Sequence, residues 1–462
     1  MTESVQHVKT LRQRDLVLFT VTAILLPDTL AAAASIGASS ISWWVLLSLL
    51  FLLPFALISA ELGCSYPEQG GVYAWVRDAF GSRWGSRVTW CYWINTTVWL
   101  PSICVLFAGI LKQLFFPEAG LLFQTSVAMG ICLLTVGVSC VALDLGKWVP
   151  NIGAIAKVLF FSAIILGAWN YAGDHGMANP LTAGSLAIRW DEGLSYIPAI
   201  IYGMLGFELV SAGSEEMRNP SRDVPRAVLL SGLLVVFFYT LGTVAVLAAI
   251  PAGEINLVEG LVDMLRLFFA GEHQSLVVTL LGSSVLFAVF SSGATWAIGC
   301  NRAAAEAGVE GELPRVFAIE HPRTGSPIGA ALLMGVVATA MLGLYALAAQ
   351  SNEDLFWSLF AFSGVIFFLP YIAMAFAFLR LRYRDPGHPR PFRVPGGATT
   401  AWFCAIITAA TLSIAALLFL VNPDEGPQWP VIAGVIAMLT LGEFIIRHAE
   451  RRRGELPGGP VI

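Results

Sequence analysis

The chain reads as an all-α integral membrane protein of about twelve transmembrane helices, and three observations predict this. Hydrophobic residues are 57% of its 462 residues and charged ones only 12%, about half the charged share of soluble domains. Stretches such as 43–53, 276–290 and 328–347 carry no charge at all, so none is a solvated face. With the N-terminus placed in the cytoplasm, 26 Lys and Arg residues leave only Lys112, Arg189 and Arg266 in outer loops and Lys157 inside a span. That asymmetry follows the positive-inside pattern. It supports the span count too, because one missed helix would scramble it.

The apolar segments are 16–38, 41–62, 88–114, 121–143, 149–170, 194–214, 227–250, 276–303, 327–349, 355–380, 399–421 and 428–447. A crossing needs about 20 mostly apolar residues. Both termini are expected in the cytoplasm. Residues 1–15 are polar and basic, and the apolar run at 16–36 is too long for a signal-peptide core, so it is expected to remain as a span. The longest polar loops are 70–87, 171–192, 251–275, 305–326 and 382–397, leaving no soluble domain. Residues 255–269 are apolar at helical spacing, with Glu259, Asp263 and Arg266 between, and predict a short helix on the outer surface.

Several function classes lose support here. The seven cysteines lie mainly in apolar segments without a paired Cys-x-x-Cys, and the six histidines form no metal-spaced cluster. No disulfide framework, metal site or cofactor is expected. Zinc-protease, nucleophile-elbow and phosphate-loop motifs are missing from the sequence. The basic tail with Arg447, Arg451, Arg452 and Arg453 suits a lipid-headgroup anchor better than nucleic acid.

Three ionisable residues sit where lipid would reject them: Asp28 in span one, Lys157 in span five and Glu208 in span six. Each would cost about 2.5–3.5 kcal/mol facing hydrocarbon, even on a lenient insertion scale. They must face each other, backbone or a wet cavity. Span one carries Pro27-Asp28-Thr29 at mid-depth, where proline removes a helix hydrogen bond and crowds the preceding turn. Span six carries Tyr202-Gly203-Met204-Leu205-Gly206-Phe207-Glu208, two glycines ahead of an acid. Broken backbone survives at this depth only in protein or around a cavity. Paired interruptions in corresponding helices point to a transporter's binding site.

For Lys157 two readings stay open. Burial penalises an ammonium, so the residue would exchange its proton near neutral pH and couple transport to a proton gradient. Alternatively it stays charged and ties together backbone carbonyls of a broken neighbour. Trp296, beside small polar residues in span eight, is either core or a surface on which a substrate stacks.

Motifs along the chain carry a resemblance. Glu61-Leu62-Gly63 with Pro67-Glu68-Gln69-Gly70-Gly71-Val72-Tyr73-Ala74-Trp75-Val76 resembles the signature after span two of the amino acid–polyamine–organocation superfamily. Glu215-Glu216-Met217-Arg218-Asn219-Pro220 with Val224-Pro225-Arg226-Ala227 is similar to its motif after span six. Asn301-Arg302 to Leu313-Pro314, with Thr324-Gly325-Ser326-Pro327, resembles the loop after span eight.

The resemblance implies a LeuT-like fold: inverted five-helix repeats over 16–170 and 194–380, then two extra helices over 399–447. It implies alternating access around broken helices one and six, driven by protons or by a counter-substrate. Compared with bacterial arginine/agmatine antiporters, Glu208 matches the acid of the span-six break, Tyr202 its aromatic gate, Trp296 the span-eight tryptophan and Ser363 a span-ten contact. Lys157 matches the lysine of proton-coupled members. Pro27-Asp28-Thr29 departs from the Gly-Ser-Gly-like break that grips carboxylates in many amino-acid carriers; plant polyamine carriers resemble this chain there. The expectation is therefore a secondary transporter for an amino acid or related amine in a bacterial inner membrane. Pro27, Asp28, Thr29, Tyr202, Gly203, Glu208, Trp296 and Ser363 are expected at the substrate, and Lys157 and Glu208 in proton coupling. Its partners would be the solute and membrane lipid, with room for a homodimer.

Overall fold

The computed structural model describes residues 13–67, 70–141, 148–190, 193–209, 219–256, 260–322, 324–348, 351–423 and 426–454. The side chain of Asp28, the motif residues Glu68, Gln69 and Glu215 to Arg218, and Lys147 and Arg323 lie outside the described set.

Helix dominates because hydrocarbon satisfies no backbone N–H or C=O, so each crossing segment must bond within itself. Span one is split into α1 (Gln13–Ile24) and α2 (Asp28–Ser35), which meet at 49°. Span two is α3 (Ser39–Leu47) and α4 (Leu53–Ser65), joined by a π-helical turn at Ser48–Leu52. Pro54 stands two residues past that turn, and its ring and missing N–H account for the disturbed hydrogen bonding before it. Then come α5 (Val72–Phe80), α6 (Ser82–Phe115), α7 (Leu121–Val141), α8 (Trp148–His175) and the single turn α9 (Ala183–Leu186). Span six contributes α10 (Ile197–Tyr202) and span seven α11 (Pro220–Ala249). The chain continues with α12 (Gly260–Phe268), α13 (Gln274–Val309), α14 (Ile328–Ala348), α15 (Asn352–Arg384), α16 (Gly397–Leu420) and α17 (Trp429–Gly454).

Among the described residues, nine helices are long and apolar enough to cross a bilayer, and the bent pair α1–α2 makes a tenth. Leu194–Leu209 and Ile328–Leu344 are shorter apolar helices at the places of predicted spans six and nine. The short outer helix expected over 255–269 appears as α12.

The stretch 70–87, expected as a loop, is instead helix on both sides of Gly81. Gly81 has φ +92, a conformation that glycine adopts without the penalty of a Cβ. It lets the chain turn between α5 and α6 with no loop. A two-residue antiparallel ladder, Val421↔Pro427 and Asn422↔Gly426, links α16 to α17.

In the interior, α15 packs on α6 and α16, and α13 on α6 and α8. The half-helix α1 lies against α8, α11 and α13, while α2 lies against α10 and α11. The two interrupted spans therefore sit together in the middle of the bundle.

Candidate functional site

Leu25, Leu26 and Pro27 separate α1 from α2. A helix end leaves its last four carbonyls without intrahelical partners, and each would cost several kcal/mol at membrane depth. All four are answered. Val21 O accepts from the Leu25 N–H at 2.9 Å. Lys157 Nζ donates to Thr22 O, the Trp296 indole to Ala23 O at 2.9 Å, and the Tyr239 hydroxyl to Ile24 O at 2.6 Å. The same Tyr239 oxygen accepts from the Leu26 N–H at 2.7 Å, so one phenol closes both sides of the gap. The three side chains come from α8, α13 and α11 respectively. Span one is broken in backbone and mended by its neighbours.

Span six breaks differently. Its helix stops at Tyr202, Gly203 and Met204 turn, and a short 3-10 turn at 207–209 carries Glu208. Gly206 has φ +122, and a Cβ there would lie 3.0 Å from Ile24 Cγ1 and 3.2 Å from Trp296 Cζ2. A Cβ on Gly203 would lie 3.0 Å from Thr29 Oγ1. Both glycines thus let the second break rest directly on the first.

Glu208 is 2% exposed. Its Oε1 accepts from the Tyr371 hydroxyl at 2.6 Å and the Tyr92 hydroxyl at 2.9 Å. The two phenols belong to a cluster of aromatic rings beside this acid. Phe367 lies 4.8 Å from Tyr371, 5.2 Å from Trp296 and 5.0 Å from Tyr202 between centroids. A buried carboxylate beside clustered aromatic rings suits a cation, since both attract positive charge and the low dielectric strengthens the attraction.

Of the residues expected at the substrate, Pro27, Thr29, Tyr202, Gly203, Glu208 and Trp296 gather around the paired breaks. Asp28 opens α2, with its side chain outside the described set. Ser363 is buried, but its hydroxyl donates back to Phe360 O at 2.8 Å within α15. The α15 group that reaches Glu208 is Tyr371, two turns further on. Lys157 is fully buried and sits on the α8 side of span one, its ammonium on a freed carbonyl.

Sequence reasoning passed over Tyr92, Tyr239 and Tyr371 as site residues. A signal was available: a phenol in the middle of an apolar span must find a partner for its hydroxyl. Which partner is a matter of tertiary packing.

A family model described as amino acid permease matches residues 11–442. The chain belongs to that family. The permease is 32% identical over 444 residues to the "Probable agmatine/putrescine antiporter AguD" of Lactococcus lactis, covering 94% of this chain and 93% of the relative. It is 25% identical to the "Polyamine transporter PUT1" of Oryza sativa, over 92% of this chain and 75% of the relative. It is 21% identical to a glutamate/gamma-aminobutyrate antiporter of Lactococcus lactis, over 75% and 71% of the two chains. Membership and apolar helices together make it a multi-pass membrane transporter and not an enzyme.

Proposed function

We propose that this permease exchanges small amines, agmatine and putrescine first among them, across a bacterial inner membrane. The carrying observation is Glu208: a buried carboxylate held by two phenols at the junction of two broken helices. A substrate ammonium meets Glu208 in this reading, while Tyr202 and Trp296 cover it and Pro27, Asp28, Thr29 and Gly203 form the opposite wall. Ser363 joins the wall only if substrate turns its hydroxyl from Phe360. The names of the relatives, antiporters and polyamine carriers, support the same solute class. Inverted five-helix repeats and cytoplasmic termini belong to this reading; family membership supports the repeats and the Lys and Arg distribution supports the termini.

The test is counterflow in proteoliposomes. Vesicles preloaded with putrescine should take up labelled agmatine, and Glu208→Gln should lower that exchange at least tenfold, about 1.4 kcal/mol. Exchange of glutamate and γ-aminobutyrate, with amines inert, would reject the amine assignment.

Coupling to protons through Lys157 and Glu208 is one drive. A second reading, exchange driven by the counter-substrate alone, is favoured by the Lys157 bond to Thr22 O, which suits a structural tie. Counterflow that survives collapse of the proton gradient selects the second reading; net accumulation that vanishes with the gradient selects the first.

A further inference from the structure

One concave surface lies outside the paired breaks, none of whose residues line it, and is absorbed by neither reading of transport. Where α5, α6, α15 and α16 meet, a groove of about 530 Å³ opens to the outside of the bundle. Its walls include Phe80, Trp84, Phe376, Tyr383 and Trp402. Four of these are at or above two-fifths exposed: Trp84 56%, Phe376 45%, Tyr383 59% and Trp402 44%. The Trp402 indole donates to the Tyr383 hydroxyl at 2.7 Å, which fixes one rim.

Among the described residues, Arg380 is the cation that lines the groove, with its guanidinium carbon 5.0 Å from the Phe80 ring centroid. Among the described residues no carboxylate lies within ion-pair distance of Arg380. Arg83 precedes Trp84 at the start of α6, and Arg384 stands one turn after Arg380 in α15. An apolar groove that holds a guanidinium, with Trp84, Tyr383 and Trp402 on its walls, matches one kind of molecule. It is amphipathic, with an acyl chain and an anionic head. Trp and Tyr favour the level of the headgroups, and basic pockets between helices on the arginine-rich side suit phosphate heads.

We propose that this groove seats one anionic phospholipid, with its acyl chain along Phe376 and Trp402 and its phosphate at Arg380. A second copy of the chain is the competing occupant, and it would have to bring a carboxylate to Arg380. The lipid needs no such partner because it carries its own charge.

The test uses full-length protein in detergent, titrated with phosphatidylglycerol or phosphatidylcholine and read by native mass spectrometry and by the melting temperature. Wild type should retain one phosphatidylglycerol and melt higher in its presence, with phosphatidylcholine inert. Arg380→Gln should weaken that binding about fivefold, the effect of one cation at an anionic surface. Arg380→Lys should keep it, and Arg393→Gln, which removes an equal charge from the segment between α15 and α16, should leave it unchanged. Equal retention by wild type and Arg380→Gln overturns the proposal, as does equal loss in Arg393→Gln. So does a disulfide-linked dimer formed through Trp402→Cys, which would mark the groove as an interface between copies.

Discussion

The two broken helices solve one problem in opposite ways. In span one the gap exposes carbonyls, and the remedy comes from outside: Lys157, Trp296 and Tyr239 reach in from three helices to cap them. In span six the remedy lies within the span itself. Gly203 and Gly206 allow the backbone to turn in close contact with span one, and the turn delivers a carboxylate to Tyr92 and Tyr371. The first break is a knot in the scaffold; the second presents chemistry. It follows that damage to the first should register mainly as lost stability, and damage to the second mainly as lost binding.

Tyr239→Phe is the strongest way to break this contrast. It leaves Ile24 O and Leu26 N–H without a partner, at about 1–3 kcal/mol each, so stability should fall by about 2–6 kcal/mol in equilibrium unfolding from mixed micelles. A loss below about 1 kcal/mol would mean that the gap is held by something other than this phenol.

Gly206→Ala comes next. The new Cβ meets Ile24 and Trp296 at a positive φ, and strain of this kind costs roughly 1–3 kcal/mol. Both melting temperature and amine exchange should drop together, because the turn supports Glu208. Wild-type exchange in this variant would show that the second break tolerates a side chain.

The smallest effect is expected from Tyr371→Phe, which removes one phenol donor to Glu208. Stability should change by only about 1 kcal/mol, whereas the KM for amine should rise by more than the roughly fivefold that 1 kcal/mol represents, with Tyr92→Phe as its companion. If both tyrosine variants lose stability and keep their KM, the second break is scaffold like the first.

Amino-acid order alone determined a good deal. Charge-free stretches and the placement of Lys and Arg predict the crossing helices, because transfer of charge into hydrocarbon is costly regardless of packing. Pro27 and the Gly203–Gly206 pair predict where helices fail, since those residues weaken a helix wherever they stand. Glu208 was legible as an acid that needed company. What the order of residues could not decide is who keeps that company. Tyr239 lies more than two hundred residues from Ile24 and Leu26, and Tyr371 lies 163 residues from Glu208. Such hydrogen bonds are fixed by which helix faces meet, a many-body outcome of packing that no local pattern encodes. The same holds for Ser363, whose hydroxyl turned to its own helix, and for Lys157, whose carbonyl partner exists only because Pro27 broke another helix beside it.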